Sequence, residues 1–225
     1  MKAIIFDSST LITFSLNGLF EEFRNLKKIF NGKFLITLDV KHEIIDKPLT
    51  IKRFELEALK LKQLLDDKVL EMPDSLGIKE SEISKRTEEF LNIANSTFSS
   101  NNKTIHLIDS GEASCLALSK ILNEMKIKNV IAVDERTTRM LGEKPENLKK
   151  LMEQKLHIKI NSVERNYNEF KGFDFIRSSE LVYVAYDRGA ISLKNGFVLD
   201  ALLFAVKFKG CAISYEEIKE IERIG

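Results

Sequence analysis

The run AIIFDSST, residues 3–10, decides how the rest of the chain is read. Its four apolar residues, Ala3 to Phe6, suit a strand buried on both faces. That strand drives into a carboxylate, Asp7, and then into three hydroxyl side chains, Ser8, Ser9 and Thr10. Two chemistries fit an acid at this point. Asp is a favoured cap of a following helix. An acid at the carboxyl end of an α/β strand also stands where such sheets gather ligands.

Working outward, short apolar runs alternate with helical periodicity. KFLITL (33–38) and NVIAV (129–133) are predicted strands, and KVLEM (68–72) and HIKI (157–160) shorter ones. Between them fall the helical patterns LFEEFRNLKKIF (19–30), DVKHEII (39–45), FELEALKLKQLL (54–65), ESEISKRTEEFLNIANSTF (80–98) and DSGEASCLALSKILNEM (109–125). SSNNK (99–103) reads as a polar loop. Alternation of this kind implies an α/β fold with a parallel sheet covered on both faces. From Asn161 onward aromatics and Arg become frequent, and the spacing predicts a mostly helical extension over 161–225, packed on a sheet domain over 1–160. NGFVLDALLFAVKFKG (195–210) is apolar enough to be a buried helix, so Asp200 within it needs a partner, for which Arg177 is the candidate. Ser214 and Glu217 have capping-box spacing at the start of a last helix.

Composition excludes several classes. The 225 residues are 44% hydrophobic and 31% charged, with a net charge of +1. No global basic field announces nucleic acid, so such a site would have to be a local patch. Four apolar residues before Asp7 are too few for a signal-peptide core. The longest apolar stretch, around FVLDALLFAVKF, falls short of the ~20 residues that span a bilayer. A cytoplasmic protein without membrane contact is expected, with Cys115 and Cys211 as buried free thiols. No P-loop and no G-x-G-x-x-G occurs, which leaves nucleotide-cofactor chemistry without support.

Acids recur at the strand ends. Asp7 follows the first strand and Asp134 follows VIAV; Glu43 and Glu112 lie in the first turns of helices leaving the same edge, with Asp109 three residues before Glu112. Taken singly, each fits a helix cap or a solvated helix position. Taken together, carboxylates converging on one cleft repel and raise one another's pKa, and a divalent cation removes that cost. Mg²⁺ and Mn²⁺ take oxygen ligands of this kind. The three histidines, His42, His106 and His157, are scattered, which argues against zinc. One ion requires the four acids within its reach, and a Glu112 turned into its own helix cap would not qualify.

IIFDSSTLI, the Glu43 of LDVKHEII, DSGEASCLALS and VIAVDERTTRML resemble, in order, the acidic motifs of PIN-domain proteins. That resemblance covers residues 1–160 and implies a three-layer α/β/α nuclease fold with a central parallel sheet. It implies Asp7, Glu43, Glu112 and Asp134 as catalytic metal ligands for Mg²⁺ or Mn²⁺, Ser9 and Asp109 in support, and Arg136 or Arg139 against phosphate. The implied activity is a metal-dependent ribonuclease, with RNA as partner and substrate. The insertion between Glu43 and Asp109 and the tail after Asn161 depart from compact toxin members of the family, so an antitoxin partner gains no support. The apolar tail could pack within the chain or across a homo-oligomer. The competing class is a PIN-like module that binds RNA or protein without cutting. Phosphotransfer through Asp7 of the haloacid-dehalogenase kind needs a second Asp two residues on, and Ser9 stands there.

Overall fold

The computed structural model describes residues 1–224. β1 (Lys2–Phe6) sits inside a four-stranded parallel sheet with β2 (Lys33–Leu35) on one side and β5 (Lys128–Ala132) on the other. β7 (Phe175–Ile176) adds to the far side of β5, giving the order β2-β1-β5-β7. The chain thus turns in opposite directions after β1 and β5, and the crevice beyond their carboxyl ends is where an open α/β sheet holds ligands. Asp7 lies there.

The helices are α1 (Ser8–Leu16), α2 (Phe20–Ile29), α3 (Leu38–Lys41), α4 (Glu55–Asp66), α5 (Glu80–Asn95), α6 (Ser110–Glu124), α7 (Arg136–Glu143), α8 (Pro145–Leu156), α9 (Ser178–Asp187), α10 (Val198–Phe208) and α11 (Tyr215–Ile224). The core under β1 and β2 is aromatic. Phe6 meets Phe34 and Phe23 edge-on, with ring centroids 4.9 and 5.0 Å apart, a geometry that adds to plain burial. α6 is buried along most of its length, including Gly111, Ala113, Ser114 and Cys115. Ala and Ser recur on it, so it can approach the sheet closely; the Ser114 and Thr37 hydroxyls meet at 2.6 Å.

A second, small sheet has the order β4-β3-β6, from β3 (Phe98–Ser100), β4 (Lys103–Thr104) and β6 (Asn161–Ser162). Here the structure corrects the reading of SSNNK as a loop. Asn101 and Asn102 both take positive φ, 49° and 60°, which Asn tolerates and a tight hairpin demands. Other boundaries shift for similar local reasons. The KFLITL strand stops at Leu35 because Thr37 caps α3, accepting from Val40 N at 3.3 Å. KVLEM forms one bridge, Leu35 to Glu71, rather than a full strand. HIKI is not a strand: His157 closes α8 in a left-handed turn, and pairing begins at Asn161.

The segment after 161 gives a strand to each sheet besides its helices. α10 buries Val198, Leu199, Leu202, Leu203 and Val206 but turns Asp200 to solvent. Asp200 therefore needs no buried partner, and Arg177 pairs instead with Glu180 and, at 2.8 Å, with Glu217. The Ser214–Glu217 capping box forms reciprocally, at 2.8 and 3.1 Å. Both cysteines are free and buried. Among the described residues no helix is long and apolar enough to cross a membrane.

Candidate metal centre

Asp7 N donates to Ala132 O at 2.9 Å, extending the β1–β5 ladder one step past the strand. The Asp7 side chain caps α1: Oδ2 accepts from Ser9 N at 3.0 Å and from the Ser9 hydroxyl. Ser9 Oγ in turn accepts from Asp134 N at 3.0 Å, so one hydroxyl fixes the ends of both central strands. Asp7 Oδ1 is different. It is buried and has no hydrogen-bond partner. An orphaned carboxylate oxygen in such a place is costly. Burial, with a further push from Glu43, drives Asp7 up to about 6 although the Ser9 hydrogen bonds pull it down.

Glu43 comes to the same cleft from a π turn, His42–Asp46, that continues α3. Such turns widen a helix locally and re-aim one side chain. The Glu43 carboxylate lies against Gly111 near the start of α6. A Cβ on Gly111 would stand 2.7 and 2.8 Å from its two oxygens. Gly111 thus leaves room for an acid rather than for a turn. Among the described residues Glu43 makes no side-chain hydrogen bond or ion pair. Gly111→Ala should keep the fold, and gain about 0.5–1 kcal/mol of helix propensity, while displacing Glu43. Thermal unfolding should show the first effect, and Mn²⁺ affinity lowered about 10–100-fold the second.

Glu112 divides its carboxylate. Oε2 accepts from Asp109 N at 2.9 Å, closing half of a capping box, and Oε1 accepts from the Thr138 hydroxyl. It does turn back to its cap, so it does not qualify as a direct metal ligand. It lines the cleft with Asp7 and Glu43. Burial and the Asp7 charge push it up to about 7.

Asp134 does not join them. The register pairs Phe6 with Ala132, so Asp7 falls opposite Val133 and Asp134 is one residue out of step. Successive strand side chains point to opposite faces. Asp134 is therefore turned to the far face, fully buried, where Ser178 N and Oγ donate to it at 2.7 and 2.6 Å. It pins the start of α9. Asp134→Ala should cost about 3 kcal/mol in chemical denaturation, by stranding the Ser178 donors. The next residue, Glu135, has the parity of Val133 and lines the cleft. Its carboxylate also caps α7, accepting from Thr138 N at 3.2 Å. Counting the pleat from the β1–β5 pairing would have chosen Glu135.

The resulting cleft, about 290 Å³, is lined by Asp7, Glu43, Asp109, Glu112 and Glu135 with Ser8, Ser9 and Ile12. No Lys, Arg or His lines it. Asp109 sits on its exposed rim, paired with His106 at 2.7 Å. Arg136 and Arg139 face a separate cavity. Among the described residues no three Asp, Glu, His or Cys side chains close into a ready ligand set. The donor chemistry nevertheless fits a hard cation: all-oxygen, acid-rich, with one orphaned Asp7 oxygen and an unbonded Glu43 carboxylate. No family model, curated protein or solved structure matches the chain, so what this cleft can do rests on the geometry of its own acids.

Proposed function

We propose that the chain is a PIN-like, three-layer nuclease that uses Mg²⁺ or Mn²⁺ to hydrolyse RNA phosphodiesters in the cytoplasm. The observation that carries this is Asp7 Oδ1, buried and unpartnered, on a residue that lines one cleft with Glu43 at the switch point of the sheet. Asp7 and Glu43 would hold the ion, with Glu135 contributing through lone pairs not spent on its cap and Glu112 lending negative charge at the cleft wall. When bound, the ion supplies charge neutralisation at the phosphodiester and a water acidified toward hydroxide.

The chain's own residues do the rest. Ser9 fixes the Asp7 carboxylate through Oδ2, leaving Oδ1 free. Thr138 and the backbone N–H of Asp109 hold Glu112 in one orientation. At the opposite end of β5, away from the cleft, Asn129 accepts from the Ser119 hydroxyl and donates to Asn123 Oδ1. Asp134 acts by positioning α9, outside the ligand set.

The test is cleavage of labelled RNA and single-stranded DNA with Mn²⁺, with EDTA, and by the Asp7→Asn variant. Metal-independent cutting would sink the reading. The second reading, a PIN-like module that binds without cutting, draws on the partial commitment of Glu112 and Glu135 to helix caps. RNA binding with no cleavage under any metal condition would favour it.

A further inference from the structure

Beside the acidic cleft lies a groove of a different kind, and α1 carries the connection. Ser8 and Ile12 line the cleft, while Ile12, Ser15 and Leu16, on the same face of the helix, line the groove. Glu43 borders both spaces as well. From Ile12 to Leu16 is about 6 Å along the helix axis, at 1.5 Å per residue, so the two spaces are neighbours. The groove encloses about 400 Å³, which is in the range of small-ligand sites. Its far wall is Ile51, with Phe54, Ala58 and Leu61 at the start and along the inner side of α4.

The walls are apolar and partly bare: Leu16 is 48% exposed, Phe54 43% and Ile12 41%. The Arg53 guanidinium lies over the Phe54 ring, 5.3 Å from its centroid. An aromatic face beside a cation is how single strands are commonly held, by stacking of a base. The groove also holds an unmet polar group. Ser15 is only 7% exposed, and its hydroxyl has no hydrogen-bond partner. A hydroxyl within a helix can return to the carbonyl four residues back, as Thr13 does to Ser9 O at 3.0 Å. Ser15 does not, and a buried hydroxyl left unpaired is costly. Lys47 and Glu57 line the groove too, and neither makes an ion pair among the described residues. An apolar slot with one aromatic face and a few polar groups suits a flat heterocycle with a polar edge.

We propose that this groove is a nucleobase pocket, which takes the base next to the phosphodiester in the acidic cleft, stacked on Phe54 with its polar edge toward Ser15 and Lys47. It rests on the nuclease reading for the path of the strand, but the pocket holds a base through its own residues and needs no metal. The pocket also meets a need of the cleft. Acids repel the phosphates of a strand, whereas a base is neutral, so stacking holds the strand where charge does not. Ile12 and Glu43, shared by the two spaces, place the base directly beside the reacting group.

The experiment is saturation-transfer NMR on the full chain in EDTA, with adenosine, guanosine, cytidine and uridine at millimolar concentration as probes and ribose as the control. Transfer should reach the base protons of at least one nucleoside and be absent with ribose. Phe54→Ala should weaken the tightest nucleoside about tenfold, because the stacking face is lost. Ser15→Ala should weaken it about fivefold, the worth of one hydrogen bond. It should not lower the melting temperature, because the hydroxyl it removes has no partner in the protein. No transfer to any base, equal transfer to ribose, or unchanged affinity in both variants overturns the proposal. So does a dimer in sedimentation velocity that Phe54→Ala converts to monomers, which would make the groove an interface between two copies. RNA cleavage with Mn²⁺ separates this proposal from the nuclease reading. Nucleoside binding that depends on Phe54, in a protein that never cuts, would keep the pocket and sink the nuclease. Cutting without nucleoside binding would do the reverse.

Discussion

Asp7→Asn should abolish metal-dependent RNA cleavage, lowering the single-turnover rate by about a thousandfold or more. The size follows from what the carboxylate does. A divalent ion at a phosphodiester supplies several kcal/mol of transition-state stabilisation, and each 1.36 kcal/mol is tenfold in rate. Asn keeps the shape and still caps α1, because its side-chain oxygen can accept from Ser9 N. It offers no charge at the orphaned Oδ1 position. The loss would therefore come from the chemistry and not from the fold, and far-UV circular dichroism of the variant should match the wild type. Full activity in the variant would remove Asp7 from the mechanism.

The same substitution should have the opposite effect on stability. Asp7 rises from 3.8 to about 6 on folding, and Glu112 from 4.5 to about 7. A carboxyl raised in the folded state binds its proton more tightly there. Its contribution is fully present below the unfolded value and is lost as pH climbs through the folded one. Without metal, the contribution of these two groups should be largest at and below about pH 4, and should be lost between about pH 4 and 7. At pH 8, metal-free Asp7→Asn should exceed the wild type by about 2–3 kcal/mol, which is several degrees in melting temperature for a chain of this size. Thermal scans from pH 4 to 8 in EDTA check it. A wild type that gains stability across that window, with no advantage for the variant at pH 8, would mean that the cleft is not a burial-strained acid pair.

The parts of this molecule legible in the sequence are those governed by local chemistry. AIIF, VIAV and the DSGEA helix start are set by apolar runs and caps within a few residues, and the structure forms them where they were expected. The Ser214–Glu217 box is of the same kind. What escaped depends on pairings distant in sequence. Whether Asp134 or Glu135 faces Asp7 follows from the β1–β5 register, in which a shift of one residue exchanges the faces. The hairpin at Asn101–Asn102 was hidden because its strands are only three and two residues long. The exposure of Asp200 follows from which side of α10 packs inward, and an apolar helix does not declare that side. Gly111 looked like part of a helix start, and its role beside Glu43 appears only in three dimensions.

Calorimetric titration of Mn²⁺ into the metal-free protein at pH 8 tests the central claim most directly, because it reads the cleft without substrate. One saturable site is expected in the wild type, weakened by Glu43→Gln and lost in Asp7→Asn, with Asp134→Asn binding as the wild type does. No saturable binding up to millimolar Mn²⁺, or the same isotherm in Asp7→Asn as in the wild type, would contradict a metal centre built on Asp7.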